Sequence, residues 1–279
     1  MHFWQPSVRK LLHSATSGTT AAARGVFAAI FPSDCRLCGS PLLNISRLPV
    51  CETCLAAIRP IAGQVCDLCG ENVPEGLQAA GPRMCSACQE MRPLFDKAVA
   101  HGAYDGELRE LIHLLKYEQV LPAARVLGEM LGAAIAKLQL AESVLVVPVP
   151  LHSSKRRQRG FNQAETIART ALKRLPRRDF ELAGQVLARV RPTTSQIGLT
   201  RPQRRENMRG AFQVVHPNKV SGRTILLLDD VLTTGTTASE CARVLRKAGA
   251  DKVLVATVAR TLKGVGTQFG SVSEFEQVS

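Results

Sequence analysis

The chain has 279 residues, enough for one or two domains, and its 45% hydrophobic content is that of a globular protein. Only 4% of the residues are aromatic, which disfavours a broad base-stacking surface, and no apolar run is long enough to span a membrane. The net charge of +13 indicates polyanionic partners.

Residues 1–34 form an N-terminal arm. Its residues 1–20 are polar and rich in Ser and Thr, and we expect them to be poorly ordered, whereas Ala21–Phe31 is expected to form a short helix. Packing on the neighbouring cysteine-rich segment is favoured for this helix over contact with a membrane surface, because Arg24 is its only basic residue. The start of the chain carries Arg9 and Lys10 without a clean apolar core, so no secretory signal is predicted.

Eight of the nine cysteines form four C-x-x-C pairs within residues 35–92, which we predict to be a double zinc ribbon. Without a secretory signal, this pattern indicates metal binding in a reducing cytosol. Two C-x-x-C turns supply the four thiolates of a closed structural zinc site. Sequential pairing is the simplest scheme, and a cross-braced pairing is the alternative. In the sequential scheme one ion binds Cys35, Cys38, Cys51 and Cys54, and a second ion binds Cys66, Cys69, Cys85 and Cys88.

Residues 93–262 alternate apolar strand patterns with amphipathic helices, which predicts an α/β domain with a parallel sheet flanked by helices. Ala98–Tyr104 is expected to be an edge strand, followed by helices at Gly106–Tyr117 and Ala123–Leu138. We interpret His113 and Lys116 in the first helix as surface residues, with contact between Lys116 and a phosphate as the alternative.

A second buried strand is predicted at Val144–Val147, ending in a proline-bounded turn and followed by a helix at Asn162–Leu175. From Lys155 to Arg209, fifteen Lys or Arg residues stand against four acids, a net charge of +11. Such a segment is either a solvated surface or a surface that binds phosphate groups, and we favour phosphate binding.

Four arginines near the end of this segment share a helical pattern. Arg201, Arg204 and Arg205 have spacings of three and four, which places them on one face of a helix. Arginine binds phosphate through a bidentate fork. Together with Arg209, these residues therefore bind pyrophosphate, contact a nucleic-acid backbone, or form a solvated basic helix.

The most informative stretch combines an apolar strand at Thr224–Leu228, an acid pair, a hydroxyl-rich loop and a helix at Ala238–Lys247. In an open α/β sheet, ligands bind beyond the carboxyl ends of the strands. Backbone N–H groups at a helix N-terminus bind anions, and carboxylates accept bonds from sugar hydroxyls or from hydrated Mg²⁺. Cys241, in the helix, is expected to be a small buried apolar residue. The acids are Asp229 and Asp230, and the loop is Thr233, Thr234, Gly235, Thr236 and Thr237.

This stretch closely resembles the motif with which type I phosphoribosyltransferases bind 5-phosphoribosyl 1-pyrophosphate (PRPP). The resemblance implies that the loop binds the 5′-phosphate, that the acid pair binds the ribose hydroxyls, and that Mg²⁺ accompanies PRPP. Thr193–Gln203 occupies a place comparable to the mobile hood loop of those enzymes. The turn after Val144–Val147 is similar to their pyrophosphate-binding turn. Its implied ligands are backbone N–H groups of Leu151, His152, Ser153, Ser154 and Lys155.

Two further segments resemble the ComF family of competence-associated, phosphoribosyltransferase-like proteins. One is Arg159-Gly160-Phe161-Asn162-Gln163. The other is Gln196-x2-Leu199-x-Arg201-x2-Arg204-x2-Asn207-x2-Gly210-Ala211-Phe212. Together with the four C-x-x-C pairs and the acid loop, they cover roughly residues 30 to 262 in the family's order. The chain departs from the family pattern in its N-terminal arm and in a Gly- and Ser-rich tail at residues 263–279.

The resemblance to the ComF family implies a protein that binds PRPP and single-stranded DNA and supports DNA uptake in natural transformation, or DNA processing. It also implies a location in the cytosol or near the inner membrane, with proteins of DNA uptake or processing as partners. The alternative is an active phosphoribosyltransferase that uses an unidentified base or amine as acceptor. In that reading Asp229 and Asp230 are catalytic residues that orient the ribose, and positioning supplies most of the rate.

Overall fold

The computed structural model of the protein describes residues 33–42, 46–74, 81–140, 143–175, 179–193 and 198–262. The chain divides into two compact units, Met1–Ala57 and Ile58–Ser279. The short helix predicted at Ala21–Phe31 and the tail at 263–279 lie outside the described residues. In the first unit, a bridge between Asp34 and Pro41 precedes the helix α1, Glu52–Ala57.

The second unit is built on a five-stranded parallel sheet, which confirms the predicted fold class. Its inner strands are nearly continuous apolar runs, as expected for strands that are buried on both faces. The strand order is β1-β7-β6-β2-β3, and β4 pairs with β5 in a separate antiparallel hairpin. The strands are β1 Lys97–Ala103, β2 Ser143–Pro148, β3 Asp179–Leu182, β4 Leu187–Arg189, β5 Phe212–Val214, β6 Thr224–Leu232 and β7 Lys252–Arg260.

The longer helices of this unit pack through amphipathic faces. In Thr236–Lys247, for example, the buried residues Cys241, Ala242 and Leu245 recur at helical spacing. Cys241 is fully buried, as expected of a small apolar residue. The helices are α2 Ser86–Glu90, α3 Gly106–Lys116, α4 Ala123–Ile135, α5 Ser153–Arg159, α6 Gln163–Leu172, α7 Arg201–Met208 and α8 Thr236–Lys247.

The connections place helices on both faces of the sheet. From β1 the chain moves across the sheet to β2 and then to β3, whereas from β6 it moves in the opposite direction to β7. Because parallel crossovers are right-handed, connections that run in opposite directions cover opposite faces. Accordingly, α8 packs on one face of β2, β6 and β7, and α4 and α6 contact strands from the other face. The direction of winding reverses between β6 and β2, which is where open α/β sheets bind ligands.

The segment that carries the later cysteines covers the outer edge of β1. The N–H of Ile61 donates to the carbonyl of His101 at 2.7 Å, and the N–H of Ala98 donates to the carbonyl of Leu68 at 2.7 Å. An exposed strand edge would be open to pairing with another chain. These bonds therefore protect β1 and attach the segment to the sheet.

One close helix contact gives a test of this packing. A Cβ added at Gly128 of α4 would lie 2.6 Å from the Cβ of Thr170 in α6, whereas a Cβ at Gly132, one turn later, would meet nothing closer than 3.8 Å. We therefore expect Gly128→Ala to lower the free energy of unfolding by roughly 1–3 kcal/mol through overpacking.

Gly132→Ala is the matched control, and it should be neutral or stabilising by up to about 1 kcal/mol, because alanine has the higher helix propensity. Urea unfolding followed by circular dichroism measures both variants. Equal losses of stability would show that α4 and α6 are not this close.

Candidate functional site

The acid pair lies on the central strand near its carboxyl end. Asp229 and Asp230 are neighbours in β6, and the N–H of Asp230 donates to Oδ1 of Asp229 at 2.9 Å. β6 pairs with β7 on one side and with β2 on the other. Successive residues of a strand point to opposite faces. The two carboxylates therefore serve opposite sides of the strand while remaining close enough to repel each other.

The environment of Asp229 favours its protonated form. Burial, and next the negative charge of Asp230, raise the pKa of the Asp229 carboxyl to about 7, although Lys116 opposes the shift. Strongly perturbed acids in a cleft are typical of binding and catalytic sites, because folding alone gives no reason to hold two carboxylates together. The pair is therefore poorly compensated by the protein itself.

Lys116 supplies the main positive charge to this pair. Its Nζ lies 2.7 Å from Oδ2 of Asp230, and both side chains are largely buried, with relative exposures of 15% and 13%. Burial alone would lower the pKa of Lys116, but the adjacent Asp230 carboxylate outweighs it and raises the pKa. The interpretation of Lys116 as a surface residue is wrong. Its position four residues after Ile112 continues the buried stripe of α3, and that periodicity was the available signal.

The hydroxyl-rich loop joins β6 to α8. Gly235 has φ of +77° and is the N-cap of α8, a conformation that glycine adopts without strain. The ring of Phe95 lies 3.6 Å from where a Cβ on Gly235 would stand. The hydroxyls of Thr234 and Thr236 are 2.8 Å apart. The N–H groups in the first turn of a helix have no acceptors within the helix, so this loop presents donors next to the acid pair.

The turn after β2 lies beside the acid loop because β2 and β6 are paired. Pro148 aligns with Leu228, and the N–H of Val149 donates to the carbonyl of Leu228 at 2.8 Å. Asn162 holds the turn in place, since its Nδ2 donates to the carbonyl of Val149 at 3.0 Å. Of the residues predicted to bind pyrophosphate, Leu151 and His152 lie in the turn. Ser153, Ser154 and Lys155 form the first turn of α5.

A second cation that the sequence did not reveal lies on the β4–β5 hairpin. Arg189 of β4 lies over the ring of Phe212 of β5, with 5.6 Å between the guanidinium carbon and the ring centroid. It interacts electrostatically with Asp229, and its buried Nε has no acceptor in the described part of the chain. No motif marked Arg189, because its contacts come from residues distant in sequence. Buried donors without a protein acceptor are commonly satisfied by water or a ligand.

The arginines of α7 have partners within the protein. α7 packs against α8, and Nε of Arg204 donates to the carbonyl of Leu199 at 2.9 Å. Arg205 contacts the sulfur of Met91, and Arg209 lies 3.7 Å from Glu206. α7 begins at Arg201, whose side chain lies outside the described part of the structure, as do residues 194–197 of the predicted hood loop. The predicted helix is present, but Arg204 is used to fix the loop before it.

The eight C-x-x-C cysteines form two clusters that follow the sequential pairing. In the first cluster, the sulfurs of Cys35 and Cys54 are 3.9 Å apart, and in the second those of Cys69 and Cys85 are 3.6 Å apart. Tetrahedral zinc with Zn–S bonds of about 2.3 Å requires sulfur separations of about 3.8 Å. Both clusters therefore fit structural Zn²⁺. The clusters are Cys35, Cys38, Cys51 and Cys54, then Cys66, Cys69, Cys85 and Cys88.

The second cluster is linked to the sheet by a buried arginine. Nη2 of Arg260, at the end of β7, donates to Sγ of Cys69 at 3.4 Å and to Glu71 at 3.1 Å. Arg260 and Glu71 are 5% and 6% exposed. The next residue, Thr261, donates its N–H to the carbonyl of Leu232, the last residue before the hydroxyl-rich loop. The second cluster thus supports the strand ends that carry the site.

Models of two known domain families match the cysteine-rich segment and the α/β domain of the chain. The family model for the double zinc ribbon domain matches residues 26–91, and that for the phosphoribosyl transferase domain matches residues 163–269. Among solved structures, the allosteric regulatory enzyme of purine biosynthesis is 26% identical, with 50% of this chain and 26% of that chain covered and a TM-score of 0.30. The fold assignment therefore rests on the strand order and on the domain matches.

Full-length relatives are similar along most of the chain. Competence protein F of Haemophilus influenzae is 31% identical over 225 residues, covering 78% of this chain and 93% of that protein. DNA utilization protein YhgH of Salmonella typhimurium is 32% identical, covering 83% and 98%. Competence protein ComFC of Bacillus subtilis is 24% identical, covering 72% and 79%. Among the described residues, no helix is both long and apolar enough to cross a membrane.

The link between the second cluster and the sheet predicts that the two clusters differ in their effect on stability. Cys85→Ser/Cys88→Ser should leave about one zinc ion per chain instead of about two and should increase amide exchange in β1 and β7. Hydrogen–deuterium exchange by mass spectrometry measures this effect, and metal analysis measures the zinc content.

Cys51→Ser/Cys54→Ser is the matched variant, because it removes one zinc ion from the first unit. It should leave the exchange of β1 and β7 unchanged. Equal deprotection of these strands in both variants would contradict a separate role for the second cluster.

The raised pKa of Asp229 predicts a pH-dependent effect of its removal. Because the native state holds this proton more tightly than the unfolded chain, the stability contributed by Asp229 is present below about pH 4 and is lost as the pH rises through about 7. Asp229→Asn should therefore be more stable than wild type at pH 8, by roughly 1–2 kcal/mol, and the difference should shrink towards pH 5.

Chemical unfolding at a series of pH values measures this dependence. Asp251→Asn removes the same charge from an exposed position at the opposite end of the sheet and should show no comparable gain. If Asp229→Asn is no more stable than wild type at pH 8, the pKa of the Asp229 carboxyl is not raised by burial and by Asp230.

Proposed function

The chain belongs to the ComF family of competence proteins, and on that premise we propose that it binds PRPP at the carboxyl ends of β2 and β6. We also propose that it binds single-stranded DNA and acts in DNA uptake or DNA utilization. Its relatives are named for competence or for DNA utilization. The phosphoribosyl transferase domain match includes β6, the acid pair and the hydroxyl-rich loop.

The observation that carries the PRPP proposal is the acid pair beside a glycine-capped anion loop, at the point where the sheet reverses its winding. A pentose phosphate needs acceptors for its hydroxyls and donors for its phosphate, and this edge of the sheet offers both. Asp229 and Asp230 would accept from the ribose hydroxyls, and the loop at Thr233–Thr237 would donate to the 5′-phosphate. The perturbed Asp229 also has a physical reason to bind a partner, since hydrogen bonds from hydroxyls favour the charged carboxylate.

The turn after β2 completes the proposed site on the other side of β6. Backbone N–H groups from Leu151 to Lys155 would face the pyrophosphate, and Asn162 keeps the turn in register with β6. Mg²⁺ bound with PRPP would neutralise charge on the pyrophosphate oxygens. Lys116 would continue to balance Asp230, so that the ribose binds beside one compensated carboxylate, Asp230, and one that the protein leaves largely uncompensated, Asp229.

DNA binding is supported by the basic segment and by the names of the relatives. The net charge of +11 between Lys155 and Arg209 suits contacts to phosphates, which are salt-dependent and largely independent of sequence. This part of the proposal can fail while the PRPP part stands, because the two ligands use different groups.

Ligand-induced stabilisation tests the PRPP site. PRPP with Mg²⁺ should raise the Tm of the zinc-loaded wild-type protein, with the stabilisation growing to about 2.7 kcal/mol at a ligand concentration of 100 times Kd. Asp229→Asn/Asp230→Asn should abolish the increase, because each charged carboxylate becomes a neutral amide in which one of the two acceptor oxygens is replaced by an NH2 donor. Differential scanning fluorimetry with a PRPP titration measures both.

Asp251→Asn is the control and should respond to PRPP as wild type does. Ribose 5-phosphate and pyrophosphate, tested separately, should each give a smaller shift than PRPP, since each reaches only part of the site. No shift in the wild-type protein at millimolar PRPP would remove this function.

A further inference from the structure

Two cations of the helix α5, Arg156 and Arg157, receive little compensation from the described part of the protein. Its sequence is Ser-Ser-Lys-Arg-Arg-Gln-Arg, and no acid occurs along the chain from Ser143 to Gln163. The next acid, Glu165, pairs with Arg169 at 2.7 Å. Arg156 and Arg157 are exposed, and neither makes an ion pair within the described residues. α5 contains no apolar residue, so it has no face that would insert into a membrane.

An exposed aromatic ring lies next to this helix and is held in a fixed orientation. Tyr117 follows Lys116 at the end of α3 and is 63% exposed. The guanidinium carbon of Arg159, the last residue of α5, lies 5.1 Å from the centroid of the Tyr117 ring. The ring of His113 meets Tyr117 edge-on at 5.3 Å and 84°. Rigid, half-exposed aromatic rings are the groups on which unpaired bases stack.

The two features are connected to each other and to the crevice. Nη1 of Arg159 donates to Oε1 of Gln163 at 3.2 Å, which fixes the guanidinium between α6 and the Tyr117 ring. The position of His113 is fixed in turn, since its Nε2 lies 3.0 Å from the hydroxyl of Tyr104. Lys116 contacts the acid pair, and α5 directly follows the turn of β2. The ring and the cations therefore border the crevice on the side opposite α8.

We propose that Arg156, Arg157, Arg159 and Tyr117, here called the α5–Tyr117 surface, bind single-stranded nucleic acid, with the arginines on the phosphates and Tyr117 stacked on a base. This inference deepens the proposed DNA binding and rests on it. A duplex would satisfy the arginines but not the ring, because its bases are already stacked. The arginines of α7 are less suited to this role, since Arg204 and Arg205 contact Leu199 and Met91, whereas Arg156 and Arg157 make no ion pair within the described residues.

The salt dependence of binding tests the arginines. Each phosphate contact to a single strand contributes about 0.7 to the slope of log K against log salt, so Arg156→Gln/Arg157→Gln should reduce the slope by about 1.4. Fluorescence anisotropy of a labelled oligothymidylate, measured with the full-length zinc-loaded protein over a series of NaCl concentrations, gives the slope. Arg125→Gln/Lys137→Gln, with the same charge change at one exposed position in α4 and one just after its end, should leave it unchanged.

The ring is tested by a separate pair of variants. Tyr117→Ala should weaken oligothymidylate binding by roughly tenfold with little change of slope, because stacking on an aromatic ring does not release counterions. Tyr117→Phe should bind as wild type does, since the ring is retained. An unlabelled duplex of equal length should compete less well than an unlabelled single strand. A wild-type affinity in both Tyr117 variants would overturn the role of the ring.

Three outcomes would distinguish a failure of this inference from a failure of the proposed DNA binding. If wild type binds single strands and Arg156→Gln/Arg157→Gln binds with an unchanged slope, the inference fails and the proposed DNA binding stands. A loss confined to Arg205→Gln/Arg209→Gln would place the DNA on α7 instead. If wild type binds no single strand, yet sediments with phosphatidylserine vesicles through Arg156 and Arg157, the surface is a lipid contact and DNA binding falls with it. A far-UV circular dichroism spectrum and a Tm without ligand that match those of wild type confirm in each variant that the fold is intact.

Discussion

The close approach of two carboxylates at the end of the central strand is the constraint to which the surrounding structure responds. Two adjacent acids in a buried strand repel each other and lose hydration, and both effects disfavour folding. The 2.7 Å contact of Lys116 with Asp230 offsets part of this cost, and Arg189 approaches Asp229 from the hairpin. The part of this cost that the two cations do not offset falls on Asp229, and it raises the pKa of the Asp229 carboxyl to about 7. Stability alone gives no reason for this arrangement, and that is the physical basis for proposing a ligand here.

The framework around the acid pair is rigid where the proposed ligand needs positioned donors. β6 is hydrogen-bonded on both sides, and the second cysteine cluster closes the edge of β1. Arg260 connects this cluster to the end of β7, beside Leu232. Metal binding would therefore contribute to the order of the sheet as well as to the fold of the ribbon, because a structural zinc site adds its binding free energy to folding. The second cluster is in this sense part of the same unit as the acid pair.

The sequence predicted the strands and helices that local hydrophobic patterns determine. Continuous apolar runs predicted the strands that became β2 and β6, and the spacing of apolar residues predicted α3, α4, α6 and α8. The acid pair and its loop were visible because strand, acids and glycine are contiguous. The same patterns did not reveal β3, β4 and β5, which are three or four residues long and gain their stability from distant partners. Arg189 was missed for the same reason, since its contacts are set by the hairpin register. The nine-residue β7 was not predicted either, although its apolar run was visible in the sequence.

The distribution of the basic residues shows why a charge count overstates a binding surface. Between Lys155 and Arg209, several arginines serve the fold: Arg169 pairs with Glu165, and Arg174 pairs with Glu129. Arg191 donates to the carbonyls of Asn207 and Arg209 and so ties the hairpin to the end of α7. Sequence position cannot separate these structural arginines from those available to a ligand. Only the three-dimensional contacts do so, and among the residues of this segment that the structure describes they leave Arg156 and Arg157 of α5 without an ion pair, whereas Arg204 and Arg205 of α7 contact Leu199 and Met91.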